Sequence, residues 1–277
     1  MINNIYKKYR FLIARRVSQI SVMVLYVIAN LYGINILMGN LSSSLVAKTI
    51  PLSDPYAVLQ MFFAGAFISF DIFLGALFIL IFYMIVGGRA FCSWVCPVNM
   101  ITDLANFLRR KFGFNQIQKK QPASRNIRYW VIAISFVISF FMGLAAFELV
   151  SPISMVHRGI IFGLGFGWAA MLVIFLFDLF VLKNGWCGHI CPLGGFYSLV
   201  GRFSLIRVHH NADNCTACMK CKEVCPESQV LHMVTKTSIP VLSGECTNCG
   251  RCVEVCDDNA LNFSIKNLKK EKENEVR

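Results

Sequence analysis

Charge is scarce in this chain. Asp, Glu, Lys and Arg make up 15% of its 277 residues, against 56% hydrophobic residues that include 24 phenylalanines. That balance excludes an ordinary soluble domain and directs attention to apolar runs long enough to cross a bilayer. No cysteine stands outside a regular motif: of the twelve, eight fall in two runs near the C-terminus and four in two shorter pairs. Metal or redox chemistry in a reducing compartment fits this usage better than a disulfide scaffold. No Cys-x-x-Cys-His occurs, which removes covalent haem of the c type. Acidic residues are absent from positions 1 to 16, and only Asp103 is acidic between Arg89 and Arg128, where eight residues are basic. The net charge of +12 is not a nucleic-acid surface, because from Arg202 onward 11 Lys/Arg stand against 10 Asp/Glu. The surplus borders the apolar segments, as membrane topology requires.

Two runs of four cysteines stand close together: CTACMKCKEVCP (Cys215, Cys218, Cys221, Cys225) and CTNCGRCVEVCD (Cys246, Cys249, Cys252, Cys256). Both follow C-x2-C-x2-C-x3-C, the spacing of bacterial two-cluster ferredoxins, in which the fourth cysteine of each run ligates the other run's cluster. The rule assigns Cys215, Cys218, Cys221 and Cys256 to one [4Fe-4S] cube, and Cys246, Cys249, Cys252 and Cys225 to the other. A loop that curls around each cube leaves main-chain N–H groups pointing at the sulfides, which helps set the reduction potential. A pair of four-cysteine zinc sites is the competing reading, but it leaves the regular third and fourth cysteines unexplained.

Four apolar runs, at about 17–38, 67–86, 129–149 and 160–182, are expected to cross a membrane. The first is too long for a signal-peptide core and lacks a clear small-x-small cleavage site, so it reads as an uncleaved helix, and Arg15-Arg16 as a plain basic anchor. Five basic residues precede the first run, one follows it, eight follow the second and one follows the third. This bias places both termini and the basic loop in the cytoplasm. The expected architecture is a membrane all-α four-helix module at 17–200, made of a duplicated helical hairpin behind a basic N-terminus (1–16). A small α+β two-cluster domain follows at 201–265, then a charged, disordered tail at 266–277.

The duplication rests on a second cysteine pattern. Cys92-Ser-Trp-Val-Cys96-Pro97 and Cys187-Gly-His-Ile-Cys191-Pro192 are 95 residues apart at every matching position, with aromatic Phe91 and Trp186 just before them. Each follows the second helix of a hairpin, and a pseudo-twofold along the membrane normal would gather the four cysteines near its axis. They could bind a metal, cycle between thiol and disulfide, or pack as small hydrophobes, and the repeated spacing favours the first two. Asp71 and Asp178, acids within the second and fourth runs, are candidate proton acceptors, with a turn at the interface as the plainer explanation of each. Cys92, Cys96, Cys187, Cys191, Asp71 and Asp178 are therefore the candidate catalytic residues. Glu148, His157 and His189 are secondary candidates.

Four spans, two C-x3-C-P motifs at their cytoplasmic ends and a two-cluster domain, in that order and at this length, resemble the NapH family of ferredoxin-type membrane proteins. The resemblance covers nearly the whole chain and departs at Asp257, where proline often follows the last cysteine. It implies the membrane component of a quinol dehydrogenase in the inner membrane, drawing on the quinone pool. Its electrons would pass through two [4Fe-4S] clusters and a NapG-like periplasmic iron-sulfur partner to a terminal nitrate reductase. MauN, NosR and the CcoG/FixG proteins share the modules, and a redox or metal maturation factor for a respiratory metalloenzyme is the alternative function.

Overall fold

The computed structural model describes residues 2–33, 37–46, 49–113, 124–162 and 165–265. The charged tail at 266–277 lies outside the described residues. The chain is mostly helical, and its first helix, α1 (Ile2–Tyr32), holds the apolar stretch Tyr9–Tyr32, long and apolar enough to cross a membrane. Further apolar helices are shorter: α3 (Phe70–Val86), α6 (Ile127–Met142) and α9 (Gly167–Leu176), the last continued by a π-helical segment, Phe177–Val181.

Boundaries differ from the expected spans where local chemistry intervenes. α1 stops at Tyr32 because Gly33 turns left-handed, at φ 66°. The following residues form a three-stranded antiparallel sheet of β1 (Leu37–Gly39), β2 (Ser43–Val46) and β3 (Ile50–Ser53). Pro51 is tolerated in β3 because that strand lies at the sheet edge, where a missing N–H costs nothing. Pro55 opens α2 (Pro55–Phe63) at its first position, after Asp54, whose side chain accepts the Tyr56 N–H at 3.4 Å. α6 ends at a left-handed Gly143, and two shorter helices, α7 (Ala146–Val150) and α8 (Pro152–Phe162), occupy the stretch before α9.

The chain divides into two units. One comprises Arg15–Phe82 and Phe91–Phe196. Its interior holds Tyr56, fully buried, with its hydroxyl 2.6 Å from Ser135 Oγ and its ring against Phe136, Phe147 and Phe196. Gln60 Oε1 accepts the Phe147 N–H at 2.9 Å. Both interactions satisfy polar groups that would each cost ~1–3 kcal/mol if left unpaired in an apolar interior. Outward, the helices present large apolar side chains, among them Trp130, Phe140, Phe141 and Val173, each at least 65% exposed. α4 (Ala90–Trp94) leads, through the first C-x3-C-P motif, into the amphipathic α5 (Val98–Lys111). α5 ends on Arg109, Arg110 and Lys111, cations that suit the negative end of the helix dipole.

The other unit comprises Met1–Ala14, Tyr83–Ala90 and Tyr197–Arg277. β4 (Ile206–His210) pairs antiparallel with β5 (Leu261–Ile265), from Ile206 opposite Ile265 to His210 opposite Leu261. Between the strands lie both cysteine runs and two short helices, α10 (Lys220–Val224) and α11 (Arg251–Glu254). Val208, Val230, Leu231, Met233, Val234, Val241 and Leu261 form a core together with Cys221, Cys225 and Cys252. Burial of each such aliphatic side chain contributes ~1.5–3 kcal/mol.

Candidate iron-sulfur and cysteine sites

The two cysteine runs fold alike. In the first, Ala217 and Met219 have φ of 59° and 59°; in the second, Asn248 and Gly250, at the matching positions, have φ of 47° and 75°. Alternating right- and left-handed residues turn successive main-chain N–H groups into a concave nest that favours an anion. Left-handed backbone is costly for Ala217 and Met219, so the curl is imposed by the loop's task rather than by residue preference. α10 and α11 then start at Lys220 and Arg251, just before the third cysteine of each run.

Two cavities open against these loops. One is lined by Cys215, Cys218, Cys221 and Cys256, with Met219, Val255 and Leu261 among its other walls. The second is lined by Cys225, Cys246, Cys249 and Cys252, beside Glu227 and Val241. Each cavity thus takes three cysteines from one run and the fourth from the other. Among the described residues no three His, Cys, Asp or Glu side chains converge to hold a single metal ion. Four thiols spread around a chamber fit a polynuclear cluster better than zinc, which needs sulfur at ~2.3 Å from one centre. Burial pushes the Cys221 thiol up, the Cys246 thiol up to about 11 and the Cys252 thiol well above its ordinary value. Such thiols hold their protons at neutral pH until a cation compensates the thiolate charge, as iron does.

The cavities differ in setting. Cys218 is exposed and lies beside an open groove with Lys222, Glu223 and His232, whereas Cys249 and Cys252 are buried. The second cavity has cations nearby: Arg89 and Arg207 both act to lower the Cys246 thiol, against the larger effect of burial. Arg207 is almost fully buried and donates to five main-chain carbonyls, those of Gly201, Arg202, Ser204, Val241 and Leu242, at 2.6–3.0 Å. Asn248 Nδ2 donates to Val86 O at 2.7 Å and Ile206 O at 2.9 Å, fixing the second loop. None of Arg89, Arg207 and Asn248 stands out in the sequence. The Gly-Gly-Arg triplet at 87–89 is the one signal that could have found any of them, since glycines allow the backbone approach that buries the guanidinium.

The C-x3-C-P motifs also fold alike. The Cys96 N–H reaches Phe91 O at 3.0 Å and the Cys191 N–H reaches Trp186 O at 2.9 Å, the same five-residue closure 95 positions apart. In the second motif it extends to a π-helical turn, Trp186–Ile190, ending on an extended Cys191, as the residue before proline must. Cys96 and Cys191 are buried, Cys92 and Cys187 half-buried. Burial pushes the Cys96 and Cys187 thiols up, and the other three cysteines add to the effect on Cys187. Gln19 of α1 secures the first motif, its Nε2 donating to Ser93 O at 3.1 Å and Cys96 O at 3.2 Å.

The two membrane-depth acids part company. Asp71 is exposed in the first turn of α3, where the helix dipole favours a carboxylate. Asp178 is fully buried in the π-helical segment, accepts the Trp186 N–H at 3.1 Å and acts on Cys187. Glu148 is satisfied by the Ser42 and Ser154 hydroxyls at 2.6 and 2.8 Å. His157 is buried edge-on against Tyr26, and His189 is buried inside the second motif.

Comparison with known proteins falls on the same cysteine motifs. A family profile described as a 4Fe-4S binding domain matches twice, at residues 68–115 and 164–209, each time across one C-x3-C-P motif. A second, a 4Fe-4S dicluster domain, matches residues 207–257. The methylamine utilization ferredoxin-type protein MauN of Methylorubrum extorquens is 42% identical over 83% of this chain and 80% of its own. The ferredoxin-type protein NapH is 42% identical in Haemophilus influenzae (80% of this chain, 77% of its own) and 41% identical in Escherichia coli (82% and 78%). No solved structure matches the chain. With two four-cysteine loops folded alike and relatives of this similarity over most of its length, the chain belongs to the NapH/MauN family of ferredoxin-type electron-transfer proteins.

Proposed function

We infer that the protein is a membrane-bound component of a quinol dehydrogenase, oxidising quinol and relaying its electrons singly through two [4Fe-4S] clusters. The observation that carries the cluster half is the crossing of the fourth cysteine between cavities, which the spacing rule for two-cluster ferredoxins requires. Cys215, Cys218, Cys221 and Cys256 hold one cube, and Cys246, Cys249, Cys252 and Cys225 the other. A quinol that becomes quinone releases two protons and two electrons, and when bound the two cubes supply one acceptor for each electron. The chain's part is to hold the thiolates, to wall the second cavity with buried residues, and to expose Cys218 beside a groove where a protein partner can approach.

Four apolar helices, with Phe70, Phe141 and Val173 at least 65% exposed, support a multi-pass position in the inner membrane. The loop charges support both termini and the clusters on the cytoplasmic side. Likeness to NapH supports a NapG-like iron-sulfur partner and a nitrate reductase downstream, and likeness to MauN an oxidation system for methylamine. Reporter fusions at both termini and in the loops at 39–43 and 143–145 test the topology, and a periplasmic C-terminus overturns it. Quinol added to protein in liposomes tests the activity, and clusters that stay oxidised beside an intact donor overturn it.

The shared closure of the two C-x3-C-P motifs onto Phe91 and Trp186 favours a second reading, in which Cys92, Cys96, Cys187 and Cys191 serve a maturation factor that binds or reduces a metal for a partner enzyme. Replacing all four by serine separates the two: quinol oxidation that survives while partner activation is lost selects maturation.

A further inference from the structure

Two opposite charges are buried near each other and do not meet. Asp178 and Arg109 are both fully withdrawn from solvent. Arg109 Nη1 donates to the main-chain carbonyls of Asp178 and Leu179, at 3.0 and 3.4 Å, while its Nε and Nη2 have no hydrogen-bond partner. Asp178 Oδ1 takes the Trp186 N–H, while Oδ2 has no partner. Three buried polar atoms, two donors and one acceptor, are thus left over on adjacent side chains. Such groups are almost always hydrogen-bonded, and one left bare in an apolar interior is costly, more so when charged. A direct ion pair would remove the cost; without one, both side chains keep hydrogen-bonding capacity for a third, polar group.

The surroundings say what kind of group. Asp178 belongs to the π-helical segment that continues α9, and Cys187 to the π-helical turn just after it; π-bulges are rare and concentrate at functional sites. The pair faces inward, while the outer faces of the helices that carry it are apolar: Leu104 and Phe107 on α5, and Leu176, Phe180 and Val181 around Asp178, are each 42–54% exposed. A ligand that enters between such helices from a bilayer must be lipid-soluble and, to bond this pair, carry a small head that both donates and accepts hydrogen bonds. A quinol head does both, its hydroxyl donating to a carboxylate and its oxygen accepting from a guanidinium. The duplication does not produce a second copy, because Tyr83 stands 95 positions before Asp178.

We propose that Asp178 and Arg109 bind the quinol head, next to Cys187 in the second C-x3-C-P motif. This deepens the quinol-oxidising reading and rests on it. Asp178 Oδ2 accepts from one quinol hydroxyl, and Arg109 Nε and Nη2 donate to a hydroxyl oxygen of the same head.

An azido-quinone, photolysed with the full-length protein in liposomes and mapped by mass spectrometry, tests this. Label on peptides containing 98–111 and 173–187 supports the site; label confined to 146–162, around the buried His157, overturns it. D178N and R109Q, checked for intact folding by their cluster EPR signals, are expected to weaken binding of the quinone analogue roughly tenfold or more, as loss of a charge-assisted hydrogen bond does. Unchanged affinity in both variants overturns the site and leaves quinol oxidation standing. A wild-type protein that neither binds the analogue nor takes electrons from quinol overturns the underlying reading instead. The labelling map needs no variant, so it decides even where a substitution prevents folding.

Discussion

Arg89 Nη1 lies 2.8 Å from Glu227 Oε1, and both side chains are almost completely withdrawn from solvent. Nη1 also donates to Glu245 O at 3.0 Å, the residue before Cys246, while Glu227 lines the cavity of Cys225, Cys246, Cys249 and Cys252. The pair therefore ties the short segment after α3 to the walls of one cluster chamber. R89Q leaves the Glu227 carboxylate buried and uncompensated, which is expected to cost ~3–5 kcal/mol. The same uncompensated charge disfavours the reduced, more negative cluster, so the potential of that cube falls while the other moves less. Replacing both residues by Gln restores most of each loss. EPR-monitored redox titration and thermal unfolding in detergent read the two effects; equal shifts of both cubes would contradict the placement of the pair.

His157 supplies a pH dependence. Burial pushes its imidazole down to about 4, and neither ring nitrogen has a hydrogen-bond partner. The unfolded chain takes up this proton below about 6.5 while the folded chain stays neutral until about 4. Stability from this residue is therefore complete above pH 6.5 and is lost as pH falls toward 4, at up to ~1.4 kcal/mol per pH unit. Thermal unfolding measured between pH 4 and 7 should lose that part of its slope in H157Q. A slope identical to wild type would mean that the imidazole is solvated or charged in the folded protein.

Gly201 and Gly244 pack main chain against main chain. A Cβ on Gly201 would stand 2.6 Å from Gly244 O, and one on Gly244 would stand 2.7 Å from Arg202 N. Backbone cannot swing aside as a side-chain tip does, so G201A is expected to cost ~1–3 kcal/mol through overpacking. It should also loosen the loop leading to Cys246. G165A, whose Cβ meets nothing within 4 Å, serves as the neutral control. Comparable melting temperatures for both variants would contradict the close approach.

The cysteines carried most of what the sequence disclosed. Cluster spacing is set by the size of the cube, so eight residues at fixed intervals foretell two similar loops, and left-handed residues at matching positions bear out that likeness. The 95-residue offset likewise anticipates the shared closure onto Phe91 and Trp186. What stayed hidden was the role of the arginines. Arg89, Arg109 and Arg128 enter a topology count as loop charges, yet all three are buried and donate to main-chain carbonyls, Arg128 to Gly188 O at 3.4 Å. A charge count sees sign and position along the chain, whereas burial depends on which carbonyls the fold brings near. The small sheet at residues 37–53 was missed because its strands are only three or four residues long, although Asp54-Pro55 marks the start of α2.

The central claim is that electrons from quinol arrive on two cubes held by crossed cysteine sets. The most direct measurement is EPR of the protein in anaerobic liposomes after addition of reduced quinol, with wild type compared against C218S and C249S. The account predicts two reduced-cluster signals in wild type, loss or alteration of a different one in each variant, and the effect of C218S reproduced by C256S. Clusters that stay oxidised beside intact quinol, or a C256S spectrum that matches C249S instead, would contradict it.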